Sequence, residues 1–216
     1  MKQLCIFVLP VILGSTSKAE WGPVGVYSSY YQTPSTFSTG NTSLNYSGSP
    51  TSGYGAGLVG IYPLGSSVSL ELRALYVNEG MNGSISGTYN GQTLTASSVQ
   101  TAPFFEFPIL FDFNLGSKFA IHGGGFYSLA TGNISTNINE TYAGSNISSN
   151  GSSSNTVNDY GVIGGLEFKT EISQTTDLFI SVDYLYGLAN QEAGQSNFTA
   201  NYSRAIQGIV GFLFRP

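Results

Sequence analysis

The sequence predicts an all-β fold: a closed eight-stranded antiparallel up-and-down transmembrane β-barrel with short turns at one end and four long loops at the other. Three observations predict it. Strand-like segments alternate with a period of two between a wholly apolar face and a mixed, partly charged one. The connections between them are alternately short and long. Aromatic residues recur eight positions apart on the apolar faces of successive segments.

Composition sets the frame. The chain has 216 residues, enough for one sizeable domain, and only 9% are Asp, Glu, Lys or Arg while 13% are aromatic. Soluble domains carry roughly 25% charged residues. The N-terminal stretch "MKQLCIFVLPVILGSTSKAE" has Lys2, an apolar run from Leu4 to Leu13 and small residues at Ser17 and Ala19. It reads as a secretory signal peptide over residues 1–19, cut after Ala19, followed by a single barrel domain over 20–216. The apolar run is shorter than the ~20 residues a membrane-spanning helix needs, and no other run approaches that length. Cys5, the only cysteine, leaves with the signal, so no disulfide or thiol chemistry is expected in the mature protein. Loss of Lys2 and Lys18 leaves five basic residues against twelve acidic ones, a net charge of −7. That balance argues against nucleic acid as a partner, which requires a basic footprint.

Eight strands are expected, near 21–32, 54–63, 68–79, 103–114, 119–130, 159–170, 177–188 and 204–214. The first two are ambiguous in phase, because glycine and small residues occupy both faces. In the third, Val68, Leu70, Leu72, Ala74 and Tyr76 oppose Ser69, Glu71, Arg73 and Leu75. In the fourth, "FFEFPILFDFN", Phe105, Phe107, Ile109, Phe111 and Phe113 oppose Glu106, Pro108, Leu110, Asp112 and Asn114. A core strand would not tolerate unpaired acids, and a water-facing strand would not carry so many phenylalanines. A barrel in lipid accommodates both, with phenylalanines outward and carboxylates inward. Pro108 lacks the N–H of one ladder bond, so a local bulge or a water is expected beside it. The fifth strand turns His122 inward with Ala120, Gly124, Phe126 and Ser128. The sixth opposes Tyr160, Val162, Gly164, Leu166 and Phe168 to Asp159, Gly161, Ile163, Gly165 and Glu167. The seventh opposes Leu178, Ile180, Val182, Tyr184 and Tyr186 to Asp177, Phe179, Ser181, Asp183 and Leu185.

The aromatic pairs Tyr54/Tyr62, Phe105/Phe113, Phe119/Tyr127 and Tyr160/Phe168 are spaced to sit at opposite rims of a membrane. Eight strand residues cover roughly 26 Å, or ~20 Å along the membrane normal when tilted, close to the ~25 Å apolar band of such barrels. Backbone groups in lipid must pair internally, so the sheet has to close. Short connections fall near 64–67, 115–118 and 173–176. Long ones, rich in Ser, Thr, Asn and Gly, cover roughly 33–53, 80–102, 131–158 and 189–203, and are expected to be exposed flexible loops.

The segments "SLELRALYVNEG" (69–80), "FFEFPILFDFNLGSKFAIHGGGFYSLATG" (104–132), "DYGVIGGLEF" (159–168) and "ISVDYLYGLAN" (180–190) resemble successive hairpins of the outer-membrane protein beta-barrel domain family, porin-like small barrels of Gram-negative bacteria. The resemblance implies an integral outer-membrane location, with outer-membrane lipid as a partner. The ending "VGFLF" (210–214), followed by Arg215 and Pro216, is similar to the C-terminal strand read by the outer-membrane insertion machinery. The family implies no single activity.

Inward-facing Glu71, Arg73, Glu106, Asp112, His122, Glu167 and Asp183 are expected to form a structural polar cluster in the lumen. Their spacing gives no calcium-loop or zinc pattern, so no metal, cofactor or catalytic residue is assigned. A lone histidine without a G-x-S-x-G elbow or a second histidine makes a lipid-modifying enzyme the weakest alternative. The glycine runs "GGG" (123–125) and "GAG" (55–57) precede no helix and read as room for curvature rather than phosphate cradles. The expected function is therefore a non-enzymatic barrel with a structural role and surface-loop presentation to an unidentified extracellular ligand. The main alternative is a narrow porin-like channel for ions or small solutes.

Overall fold

The structure, a computed structural model, describes residues 19–155, 158–190 and 200–215. The signal peptide read from residues 1–19 lies almost wholly outside them. The described residues form twelve strands: β1 (Glu20–Gln32), β2 (Ser35–Thr39), β3 (Thr42–Pro63), β4 (Val68–Tyr89), β5 (Gln92–Glu106), β6 (Ile109–Asn114), β7 (Phe119–Ala130), β8 (Gly132–Tyr142), β9 (Ser145–Asn155), β10 (Asp159–Ser173), β11 (Thr176–Gly187) and β12 (Ser203–Phe214). Every pairing is antiparallel. The ring runs β1, β3, β4, a β5/β6 wall, β7, β10, β11, β12 and back to β1. That is a closed ring of eight strand positions.

The ring is inverted relative to a soluble core. Ile109 is 54% exposed, whereas Asp112 three residues on is 0% exposed. Leu72, Phe111, Tyr160 and Val182 are likewise exposed, and Glu71, Glu106, Glu167 and Asp183 are buried. The first two wall strands, whose phase composition leaves open, turn Val24, Val26, Ser28, Val59 and Ile61 inward. Aromatic rings meet across neighbouring strands at both rims. At the short-turn rim these contacts are Trp21 with Phe214 and Phe119 with Phe168; at the other they are Tyr27 with Tyr54 and Tyr76 with Phe105. Register explains this: Tyr160 stands opposite Tyr127 and Phe168 opposite Phe119, so strands that each carry the eight-residue spacing align their ends.

The structure narrows one expectation and corrects another. Pro108 produces no bulge. The pairs Leu72–Ile109 and Leu75–Glu106 keep one register with β4, as Ile109–Gly125 and Glu106–Ser128 do with β7. The strand is interrupted at Phe107 and Pro108 with no residue inserted, because the Pro108 carbonyl still accepts from the Arg73 N–H at 3.0 Å. Only the bond that an N–H at Pro108 would donate is lost. Nor are three of the long connections flexible loops. β3, β4 and β5 run past the aromatic rim, and with β2, β8 and β9 they build a sheet ordered β2-β3-β4-β5-β8-β9. A register irregularity between Thr51 and Tyr54 marks where β3 leaves the barrel wall.

Candidate functional site

Alternation alone turns Glu71 and Arg73 of β4, Asp112 of β6, His122 of β7, Glu167 of β10 and Asp183 of β11 into the lumen. Which of them meet is decided by register. Asp112 stands opposite His122, His122 opposite Gly165, and Gly165 opposite Asp183, in one row across four strands. The glycine in that row leaves the gap that lets its two neighbours touch. A Cβ on Gly165 would lie 2.6 Å from His122 Nε2 and 2.5 Å from Asp183 Oδ1. Across that gap His122 Nε2 and Asp183 Oδ1 are 2.6 Å apart.

Arg73 ties the row to β4. Its Nε donates to Glu71 Oε1 at 2.6 Å, its terminal nitrogens to Asp183 Oδ2 at 2.5 Å and Ser181 Oγ at 3.3 Å, and its guanidinium lies 5.9 Å from the Phe179 ring centre. Ser181 Oγ also donates to Asp183 Oδ1 at 2.6 Å. Asp183 is thus saturated by an arginine, a serine and a histidine, the condition under which a buried carboxylate is tolerated.

The neighbouring acids differ. Glu71 Oε2, both oxygens of Asp112, both of Glu167 and Nδ1 of His122 are buried with no well-formed hydrogen bond from a nitrogen or hydroxyl of the described residues, and the Glu71 carboxyl lies against those of Asp112 and Glu167. Lys169 Nζ lies 3.3 Å from Glu167 Oε1 and 3.7 Å from Glu20 Oε2, an ion pair outside hydrogen-bonding geometry. One ligand-type atom from each of Glu71, Asp112, His122 and Glu167 falls within 4.8 Å of all the others. They come from β4, β6, β7 and β10, four adjacent wall positions.

Glu106 stands apart from these six. It accepts from Gln207 Nε2 at 2.8 Å in a second polar tier nearer the long-hairpin end. In that tier Ser28 donates to Glu79 at 3.0 Å and Ser203 to Asp159. Sequence reasoning missed Glu79, Lys169 and Gln207 as lumen groups. For two of them the signal was parity: Glu79 keeps the phase of Glu71 and Arg73, and Lys169 that of Glu167. Apolar side chains pack between and beside the polar groups. Val24, Val59, Leu75, Phe179, Ile209 and their neighbours pack together in one cluster, and Leu110, Phe126, Ile163, Leu185 and Ala205 in another. A cavity of about 20 Å³ remains in the upper tier, and a vestibule of about 480 Å³ opens at the short-turn end.

A closed antiparallel ring with an apolar band outside, aromatic rims and buried charges within defines an integral membrane β-barrel. A sequence profile described as outer membrane protein beta-barrel domain matches residues 18–191, and the chain belongs to that family of outer-membrane proteins. No curated protein matches the sequence. Among solved structures, the chain is similar to the outer membrane protein OprG from Pseudomonas aeruginosa, at 14% identity over 92% of this chain and 96% of that one, with a TM-score of 0.47. It is also similar to Neisserial surface protein A, at 14% identity over 91% and 97% with a TM-score of 0.38. The outer membrane protease OmpT from Escherichia coli is similar at 6% identity over 92% and 97%, with a TM-score of 0.39.

Proposed function

We propose that the protein is a non-enzymatic structural barrel of the outer membrane that presents its outer β-hairpins to the surroundings. The observation that carries this reading is the filled lumen: two apolar clusters and two polar tiers occupy the bore, where a channel needs a continuous wet path. The position of His122 also speaks for it. Its Nε2 is engaged by Asp183, and Ser128, the serine on its own strand and face, is six residues away, roughly 20 Å along the strand. A nucleophile and base need hydrogen-bond contact. Export through the N-terminal signal and insertion through the strand ending in Phe214 belong to the same proposal, as does an extracellular ligand for the hairpins.

The test is planar-bilayer recording on the folded barrel. Silence at applied potentials of both signs is expected. Steady single-channel steps from the purified chain would replace the structural reading with that of a narrow channel.

A further inference from the structure

We propose that Glu71, Asp112, Glu167 and Nδ1 of His122 bind one divalent cation of the Zn²⁺ or Mn²⁺ class inside the barrel. Four adjacent wall strands each place one donor at a common point, with the donor atoms within 4.8 Å of one another. Opposite ligands of a six-coordinate cation stand roughly 4.0–4.8 Å apart, for metal–ligand distances of ~2.0–2.4 Å. Three carboxylates and one imidazole suit a borderline divalent metal better than Ca²⁺, which takes oxygen alone.

The independent observation is what the free atoms lack. Asp112 is 0% exposed and His122 3% exposed, yet no nitrogen or hydroxyl among the described residues hydrogen-bonds to either Asp112 oxygen or to His122 Nδ1, and what lies against Asp112 is the Glu71 carboxyl, a second candidate ligand. Glu71 and His122 are each held by one atom and leave the other open. Arg73 grips Glu71 by Oε1 and leaves Oε2. His122 Nε2 is taken up by Asp183 Oδ1 at 2.6 Å, which leaves Nδ1 as the ring atom that would bind the metal, the carboxylate–histidine arrangement that fixes metal-ligating histidines elsewhere. Asp183 in turn is fixed by Arg73 and Ser181.

Charge points the same way. Among the described residues, Arg73 and Lys169 are the cationic lysine or arginine partners of Glu71, Glu167 and Asp183, Asp112 has none, and Lys169 is shared with Glu20. Ionised, the four carboxylates exceed the two cations by two charges, which one divalent ion neutralises. The cluster lies one step below the short-turn vestibule of about 480 Å³, which is lined by Ser69 and Lys169, each two residues from a ligand on the same face of its strand.

The full barrel, folded in detergent and stripped with chelator, is titrated with ZnCl₂ and separately with MnCl₂. One ion per chain should be retained after desalting, and bound Mn²⁺ should show coupling to a single imidazole nitrogen in pulsed EPR. Asp112→Asn and Glu167→Gln should each lower affinity at least 10-fold. Heat-dependent gel mobility identifies the variants that have folded, and two are tested so that one misfolded protein does not decide the matter. Carboxyls that share protons instead would leave the wild-type chain without bound metal at neutral pH, which overturns the proposal. Binding unchanged in a folded Asp112→Asn or Glu167→Gln variant, or Mn²⁺ without nitrogen coupling, overturns it as well.

Discussion

Strand β4 is one continuous ribbon that passes through two kinds of solvent. From Val68 to Val77 it alternates between lipid and lumen, with Leu70, Leu72 and Tyr76 outward and Ser69, Glu71, Arg73 and Leu75 buried. From Asn82 to Tyr89, past the aromatic rim, no residue is fully buried, and the sequence reads Asn, Gly, Ser, Ile, Ser, Gly, Thr, Tyr. The backbone does not change: both halves pair with β3 on one side and with β5 or β6 on the other. What changes is the work of the side chains. In the lower half the two faces meet different media, so residue type is dictated position by position. In the upper half water reaches both faces, and the ladder of backbone bonds with a few polar cross-strand contacts, such as Ser47 to Ser84 at 2.6 Å, holds the sheet.

The largest effect should come from the lower half's lumen. Asp183→Ala removes the acceptor shared by Arg73, Ser181 and His122 and leaves a buried guanidinium with Glu71 as its one ion-paired carboxylate among the described residues. Breaking a buried ion pair on one side typically costs about 3–5 kcal/mol. Urea unfolding of the barrel in lipid vesicles, followed by the fluorescence of Trp21, the only tryptophan, measures it. A loss under about 1 kcal/mol would mean that the lumen network contributes little to holding the barrel closed.

The second prediction compares the halves directly. Ile109 lies midway between Phe105 and Phe113 on the lipid face, and Ile109→Arg should destabilise by about 2–4 kcal/mol, the cost of arginine near the bilayer midplane. Ser86→Arg, on an exposed position of the upper half of β4, should fall within about 0.5 kcal/mol. Equal effects in the same vesicle assay would remove the distinction between the two media.

The contrast also explains how much could be read from the chain. The membrane half was legible because lipid enforces a period of two; "FFEFPILFDFN" and "LFISVDYLY" carry their orientation in their spelling. The outer half was not, because Ser, Thr, Asn and Gly between 80 and 102 or 131 and 158 satisfy a wetted strand and a loop equally well. One local sign was available: Asn90–Gly91, a pair suited to a two-residue turn in which both residues take positive φ, here 49° and 78°. In the lumen, parity turns Glu71, Asp112, His122 and Glu167 inward. It does not say that they meet while Glu106 stands in another tier, because the stagger between strands is set by closure of the ring rather than by any one segment. Gly165 is similar: its place in the row between His122 and Asp183 appears only once β7, β10 and β11 are in register.

The smallest predicted effect tests whether the outer sheet rests on its turns. The β8–β9 hairpin closes on Ala143–Gly144, and Ala143 takes φ +48° where the β4–β5 hairpin has asparagine. A left-handed conformation costs a residue with a Cβ roughly 1–2 kcal/mol, and asparagine offsets part of this with local hydrogen bonds. Glycine would relieve the strain too, but it adds freedom to the open chain and so returns some of the gain. Ala143→Asn should therefore stabilise the hairpin by about 1 kcal/mol, slowing amide exchange across 132–155 about five-fold. Unfolding of the barrel itself should stay within about 0.5 kcal/mol of wild type, since this hairpin joins the sheet through β5 above the lipid. If exchange slowed equally in β10 and β11, the outer sheet and the barrel would open as one unit, and the division drawn along β4 would be one of composition alone.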